Sequence, residues 1–203
     1  MNAFRTARFL CRPPGLTCWL VLASLLAPLP SKAAKPVELR VRNVAGEEKD
    51  PLTADGAKAI AFVFLSVECP ISNSYAPKIR RLAGELGPRG GVVRLVYPNP
   101  DETPDKVRQH LKEYNLPLDA YLDYQHALTK AAGARVTPEA AVYVPGKGWV
   151  YHGRIDDRYV DFGKARPEAT RDDLKEVMVA VLAGNAAPVK SAPAVGCSIA
   201  KLP

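Results

Sequence analysis

Ala59-Ile60-Ala61-Phe62-Val63-Phe64-Leu65-Ser66-Val67-Glu68-Cys69-Pro70-Ile71-Ser72 decides the architecture. From Ala59 to Val67 the run is almost wholly apolar, as in a central strand covered on both faces. Cys69-Pro70 ends it. Downstream, Tyr75, Ile79, Leu82 and Leu86 recur at spacings of four, three and four, which predicts a helix that Gly87-Pro88 stops. Pro77 falls inside that helix and predicts a kink. A cysteine where a buried strand hands over to a helix occupies the place where open α/β sheets build their sites. Unpaired N–H groups and the positive end of the dipole favour a thiolate there, so Cys69 is expected below the free-thiol pKa of about 8.5. Ser72 is placed to donate a hydrogen bond to the sulfur. Glu68 pushes the other way but can turn into water.

Outward from this stretch, strands and helices alternate. Val37 to Arg42 alternates apolar and charged residues, the period of a half-buried strand. Gly91 to Tyr97 is a second apolar strand, Asp105 to Tyr114 a helix, Leu118 to Leu122 a short strand, and Gln125 to Ala132 a short helix ended by Gly133. Ala140 to Val144 and Trp149 to Ile155 read as a hairpin around Pro145-Gly146-Lys147-Gly148. Leu174, Val177, Met178, Val181 and Leu182 form one apolar stripe on a final helix, with Thr170 as its expected N-cap and Gly184 as its stop. The order predicts an α/β fold, a central mixed sheet flanked by helices.

The 203 residues fit one domain with tails, and the 19 prolines point to loops and an Ala/Pro-rich C-terminal tail over 185–203. The net charge of +7 is uneven. Residues 1–33 hold Arg5, Arg8, Arg12 and Lys32 and no acid, leaving +3 on the rest, which gives no reason to expect nucleic acid. Those arginines precede an apolar run of 14 residues from Leu16 to Leu29 and then Ser31-Lys32-Ala33. This is the pattern of a secretory signal peptide over 1–33, too short for a membrane span of about 20 residues. The expectation is a periplasmic or secreted protein over 34–184 plus its tail, with no stable membrane insertion after cleavage. Of the four cysteines, Cys11 and Cys18 leave with the signal. Cys69 and Cys197 remain, and two cysteines in an oxidising compartment allow one intramolecular disulfide.

The passage from strand through Cys69-Pro70-Ile71-Ser72 into a helix resembles the active-site turn of thioredoxin-fold proteins. Pro77, eight residues on, matches the kink in their first helix. Val136-Thr137-Pro138, standing before a strand, resembles their cis-proline loop. The hairpin and last helix follow in the same order, over roughly 37–183. The insertion before Thr137 and the phrase Val-Thr-Pro-Glu-Ala look most like peroxiredoxin-like redoxins of the alkyl hydroperoxide reductase and thiol-specific antioxidant superfamily. The resemblance implies that Thr137 and Pro138 dock an extended substrate beside the sulfur by strand addition. The chain departs from these families in places. Ser72 stands where thioredoxins keep a second cysteine. Phe62, Ser66 and Glu139 stand where peroxiredoxins place a proline, a threonine and an arginine.

The reading is an exported thiol–disulfide oxidoreductase with Cys69 as redox-active thiolate and Cys197 as resolving cysteine. It would act on protein or small-molecule thiols and disulfides without a cofactor. The alternatives are a thiol peroxidase, and a non-catalytic binding protein with a structural Cys69–Cys197 disulfide. No metal is expected, since His110, His126 and His152 show no ligand spacing and read as surface residues. Asp156-Asp157 reads as a cap on the loop after the last strand.

Overall fold

The computed structural model describes residues 39–200 and residue 202. The expected signal peptide, with Cys11 and Cys18, lies outside them. In chain order the elements are β1 (Val41–Asn43), β2 (Glu48–Lys49), β3 (Ala59–Phe64), α1 (Pro70–Leu86), β4 (Gly91–Tyr97), α2 (Pro104–Glu113), β5 (Ala120–Leu122) and α3 (Ala127–Ala132). They continue with β6 (Val136–Thr137), β7 (Glu139–Val144), β8 (Gly148–Gly153), β9 (Tyr159–Asp161), β10 (Lys164–Ala165), α4 (Asp173–Leu182), β11 (Ser191–Ala192) and β12 (Cys197–Ser198).

Eight strands form one mixed sheet in the order β11-β8-β7-β3-β4-β5-β1-β2. β3, β4 and β5 are parallel neighbours, and β7 runs antiparallel between β3 and β8. The apolar run at 59–64 is explained by its two faces. Ala59, Ala61 and Val63 pack with Ile79, Leu82 and Leu86 of α1 and Leu174, Val177 and Met178 of α4. Ile60, Phe62 and Phe64 pack on the opposite side with Val96, Tyr121 and Leu128. All six β3 residues are fully buried, so neither face tolerates polarity. A Phe62→Ala change here belongs with core truncations that cost about 3–5 kcal/mol.

Among the described residues β1 covers Val41 to Asn43, meeting β2 at Val41 and Arg42 and β5 at Arg42 and Asn43, while residues 37 and 38 of the expected strand lie outside the described residues. The last helix also starts later than Thr170 suggests. The Thr170 N–H and hydroxyl both go to the Asp157 carboxylate, at 2.7 and 2.5 Å, and Asp172 takes the N-cap position. Asp157 is therefore the cap of that loop, and these bonds hold its carboxylate far below the usual range, led by the Thr170 hydroxyl.

The segment after α4 is docked on the fold. β11 adds in parallel to the β8 edge, where the N–H groups of His152 and Arg154 donate to Lys190 and Ala192 carbonyls, both at 3.1 Å. Gly153 permits this approach: it has φ of +145°, and any Cβ there would overlap the Ala192 carbonyl oxygen. Among the described residues no helix is long and apolar enough to cross a membrane.

Candidate redox site at Cys69

Cys69 is the N-cap of α1, with Pro70 in the first helical position, where its missing N–H costs no bond. The approach to it is braced by buried polar groups. Glu102, 3% exposed, accepts through Oε1 from the Ser66 hydroxyl and the Val67 N–H, both at 2.7 Å. Burial raises the Glu102 pKa, against the hydrogen bonds from Ser66, Val67 and Asn99 that favour its carboxylate. From the other side Asn73 donates to the Val67 carbonyl at 3.1 Å and is itself held by His110 Nε2 at 2.8 Å. The opposite ring nitrogen of His110 meets the Tyr97 hydroxyl at 2.8 Å. This network assigns His110 as Nε2–H donor to Asn73 and Nδ1 acceptor from Tyr97.

The surface assignment of the histidines is thus corrected for two of them. His110 and His126 are 3% and 6% exposed, the first within this network and the second bonded to the Pro98 carbonyl at 2.9 Å. Only His152 is exposed. Burial lowers the His110 pKa, so it serves as a neutral brace. No group of metal-ligating side chains occurs among the described residues. Asp156 is likewise engaged: it accepts from the Tyr75 hydroxyl and from Lys78, each at 2.5 Å, and Lys78 also reaches Asp172.

The two cysteines meet although 128 positions separate them, Cys197 Sγ lying 2.8 Å from Cys69 Sγ with both thiols free. β12 brings the second sulfur in. It pairs antiparallel with β6, Cys197 opposite Thr137 and Ser198 opposite Val136. The Thr137–Pro138 peptide is cis, and both residues are buried beside the sulfur. In its thiol form Cys69 donates to the Thr137 carbonyl at 3.1 Å.

Electrostatics separate the two sulfurs. Burial resists ionisation of Cys69, but the hydrogen bond from Cys197 and the N–H and hydroxyl of Ser72 outweigh it and bring its pKa below the ordinary thiol value. The Cys197 thiol is the largest of these favourable influences, ahead of the Ser72 N–H at the helix end. Cys197 is pushed up to about 11 by burial, by its bond to Cys69 and by the Cys69 charge. The shared proton therefore rests on Cys197. The Ser72 hydroxyl also receives the Ser66 N–H at 3.4 Å, tying the strand end to the helix start. The Glu139 carboxylate accepts the Arg135 and Val136 N–H groups, at 2.7 and 3.2 Å, within the cis-proline loop.

Alkylation of the reduced protein should show this split. Modification of Cys69 is expected to inflect below about 8.5, the unperturbed value, and that of Cys197 well above it. Mass mapping of the alkylated peptides against pH distinguishes the two. Inflections near 8.5 at both positions would refute the shared-proton assignment.

Sequence reasoning placed Cys69, Ser72, Thr137, Pro138 and Cys197, and the structure brings all five together. It missed Glu102, Asn73 and His110, whose roles depend on contacts distant in the chain.

No protein-family model matches the chain, and no curated protein matches it. Solved structures do. A hypothetical protein from Sinorhizobium meliloti is 26% identical with a TM-score of 0.66, the match covering 79% of this chain and 89% of that one. An uncharacterized conserved protein from Geobacillus kaustophilus is 23% identical with a TM-score of 0.69, over 81% and 89%. A secreted Mycobacterium tuberculosis disulfide oxidoreductase homologous to E. coli DsbE is 14% identical with a TM-score of 0.50, over 72% and 96%. The chain thus has a thioredoxin-like fold, and thiol–disulfide oxidoreductases are among its structural neighbours.

Proposed function

We propose that the protein is an exported thiol–disulfide oxidoreductase in which Cys69 attacks and Cys197 resolves. The observation that carries this is the sulfur pair at 2.8 Å beside the cis Thr137–Pro138 peptide. The Cys69 thiolate attacks one sulfur of a substrate disulfide. A Cys69–substrate bond forms, the substrate S–S bond breaks, and the departing thiolate takes a proton from water. Cys197, deprotonated, then attacks Cys69 Sγ and expels the second substrate thiolate. The substrate gains two electrons and the protein is left with a Cys69–Cys197 disulfide. Run in reverse, the same steps oxidise a dithiol.

The electrostatics suit this order. Cys197 is held protonated in part by its bond to Cys69 and by the Cys69 charge. Both influences vanish once Cys69 enters a mixed disulfide, so Cys197 becomes more acidic at the step that needs its thiolate. Peroxide chemistry has less support. Glu139 stands where peroxiredoxins carry an arginine, and its carboxylate is taken up by backbone amides.

Equilibration against glutathione redox buffers tests the proposal. A reversible Cys69–Cys197 couple with a potential above about −300 mV is expected. A couple below that value would make the pair a structural staple and the fold a binding scaffold.

A further inference from the structure

β6 forms no part of the main sheet; its ladder partner among the described residues is β12. The tail therefore covers a strand edge that would otherwise present unpaired backbone groups beside Cys69. It sits there as an extended peptide. The Ile199 N–H donates to the Arg135 carbonyl at 3.1 Å, and the Thr137 hydroxyl reaches the Cys197 carbonyl at 3.5 Å. With the tail seated, Cys69 is 2% exposed and Cys197 Sγ lies 2.8 Å from its sulfur. An outside disulfide large enough to be a polypeptide has no path to the sulfur unless the tail yields its place.

The fit of the tail defines what can replace it. Gly196 is buried against the cis-proline loop. A Cβ there would overlap the Thr137 carbonyl oxygen, and would lie 2.7 Å from its carbon and 3.1 Å from Pro138 N. These are backbone atoms, which cannot swing aside as a side chain can. The constraint falls on the position immediately before the reactive sulfur.

Building on the oxidoreductase reading and on the docking role that the resemblance implies for Thr137 and Pro138, we infer that residues 194–200 are a built-in competing occupant of the Val136–Thr137 edge, and that a polypeptide replacing them must carry a glycine directly before its redox cysteine. The substrate strand lies antiparallel to β6 with its sulfur in the Cys197 position. Cys69 thiolate then forms a bond to that sulfur and breaks the bond to its former partner, which leaves as a thiolate.

The test uses the full chain carrying Gly196→Ala and Cys197→Ser, in which the tail is forced off the edge. Its partners are a heptapeptide Ala-Val-Gly-Cys-Ser-Ile-Ala, activated as a mixed disulfide with thionitrobenzoate, and the same peptide with alanine before the cysteine. Release of the yellow thiolate reports attack by Cys69. The glycine peptide is expected to react at least about tenfold faster than the alanine peptide, the scale of a backbone clash. Cys197→Ser alone, with its tail seated, should react more slowly with both. Equal rates for the two peptides overturn the docking site while leaving exchange chemistry intact. A chain inert to both peptides and to a small aromatic disulfide overturns the oxidoreductase reading instead. Fluorescence anisotropy of labelled peptides with serine for cysteine then decides docking alone: preference for the glycine form supports it, and equal or absent binding refutes it.

Discussion

In Cys197→Ser, the mixed disulfide between Cys69 and a substrate thiol should outlive that of the parent chain by at least about 100-fold at roughly 1 mM external thiol. Even a flexible tether supplies an effective concentration in the millimolar range. Cys197 is not merely tethered. In the reduced protein its sulfur stands 2.8 Å from its target, on a strand registered against Thr137, and resolution follows when the tail retakes that seat from the substrate. Positioned groups reach effective concentrations many orders of magnitude higher than a flexible tether gives. Serine keeps the shape and the strand but cannot attack, so the complex waits for an outside thiol. Trapping with a protein disulfide, followed by non-reducing electrophoresis over time, reads the lifetime directly. Equal lifetimes in the two chains would remove Cys197 from the resolving role and leave Cys69 acting with external thiols only.

How far the sequence carried this site depends on the range of the contacts involved. β3, α1 and β4 were legible because their burial is written into local periodicity, and the strand end at Cys69 followed from them. That Cys69 and Cys197 lie together was legible only by counting the cysteines left once the expected signal peptide is removed. Neither residue's neighbours in the chain announce the other. The bracing of the 66–69 loop was not legible at all. Glu102 acts from 35 and 36 positions away, through Oε1, on Val67 and Ser66. His110 acts from 37 positions away through Asn73. A lone histidine on a polar helix looks like a surface residue until the cavity it fills is known. Thr170 misled for a related reason. A threonine before an apolar stripe is a good N-cap in isolation, but here its hydroxyl was already claimed by Asp157 from across a loop. The tail shows the same limit. Its cysteine called for a seat on the fold, but where it sits is determined by Gly153 and Gly196, two residues that matter for what they lack.

Oxidising the pair should raise the stability of the fold by about 3 kcal/mol, within the usual range for a native disulfide. The bond would close a loop of 128 positions, for which chain entropy sets a ceiling of about 5 kcal/mol. The folded state needs little rearrangement to make it, because β11, β12 and both close-approach glycines already seat the tail with free thiols. In urea this corresponds to a midpoint shift of roughly 1–2 M for a domain of this size. Cys197→Ser should unfold at the reduced midpoint whatever the redox buffer. The size of the gap bears on function as well as on stability. By the thermodynamic cycle, whatever the bond adds to folding, folding adds to the bond, and about 1.4 kcal/mol corresponds to about 30 mV. A gap at the full ceiling would mean an unstrained link that resists reduction and would favour a staple. A gap near zero would mean that the bond does not form, or that forming it strains the seated tail as much as it confines the unfolded chain. The intermediate value expected here leaves the pair stable enough to close spontaneously and weak enough to exchange.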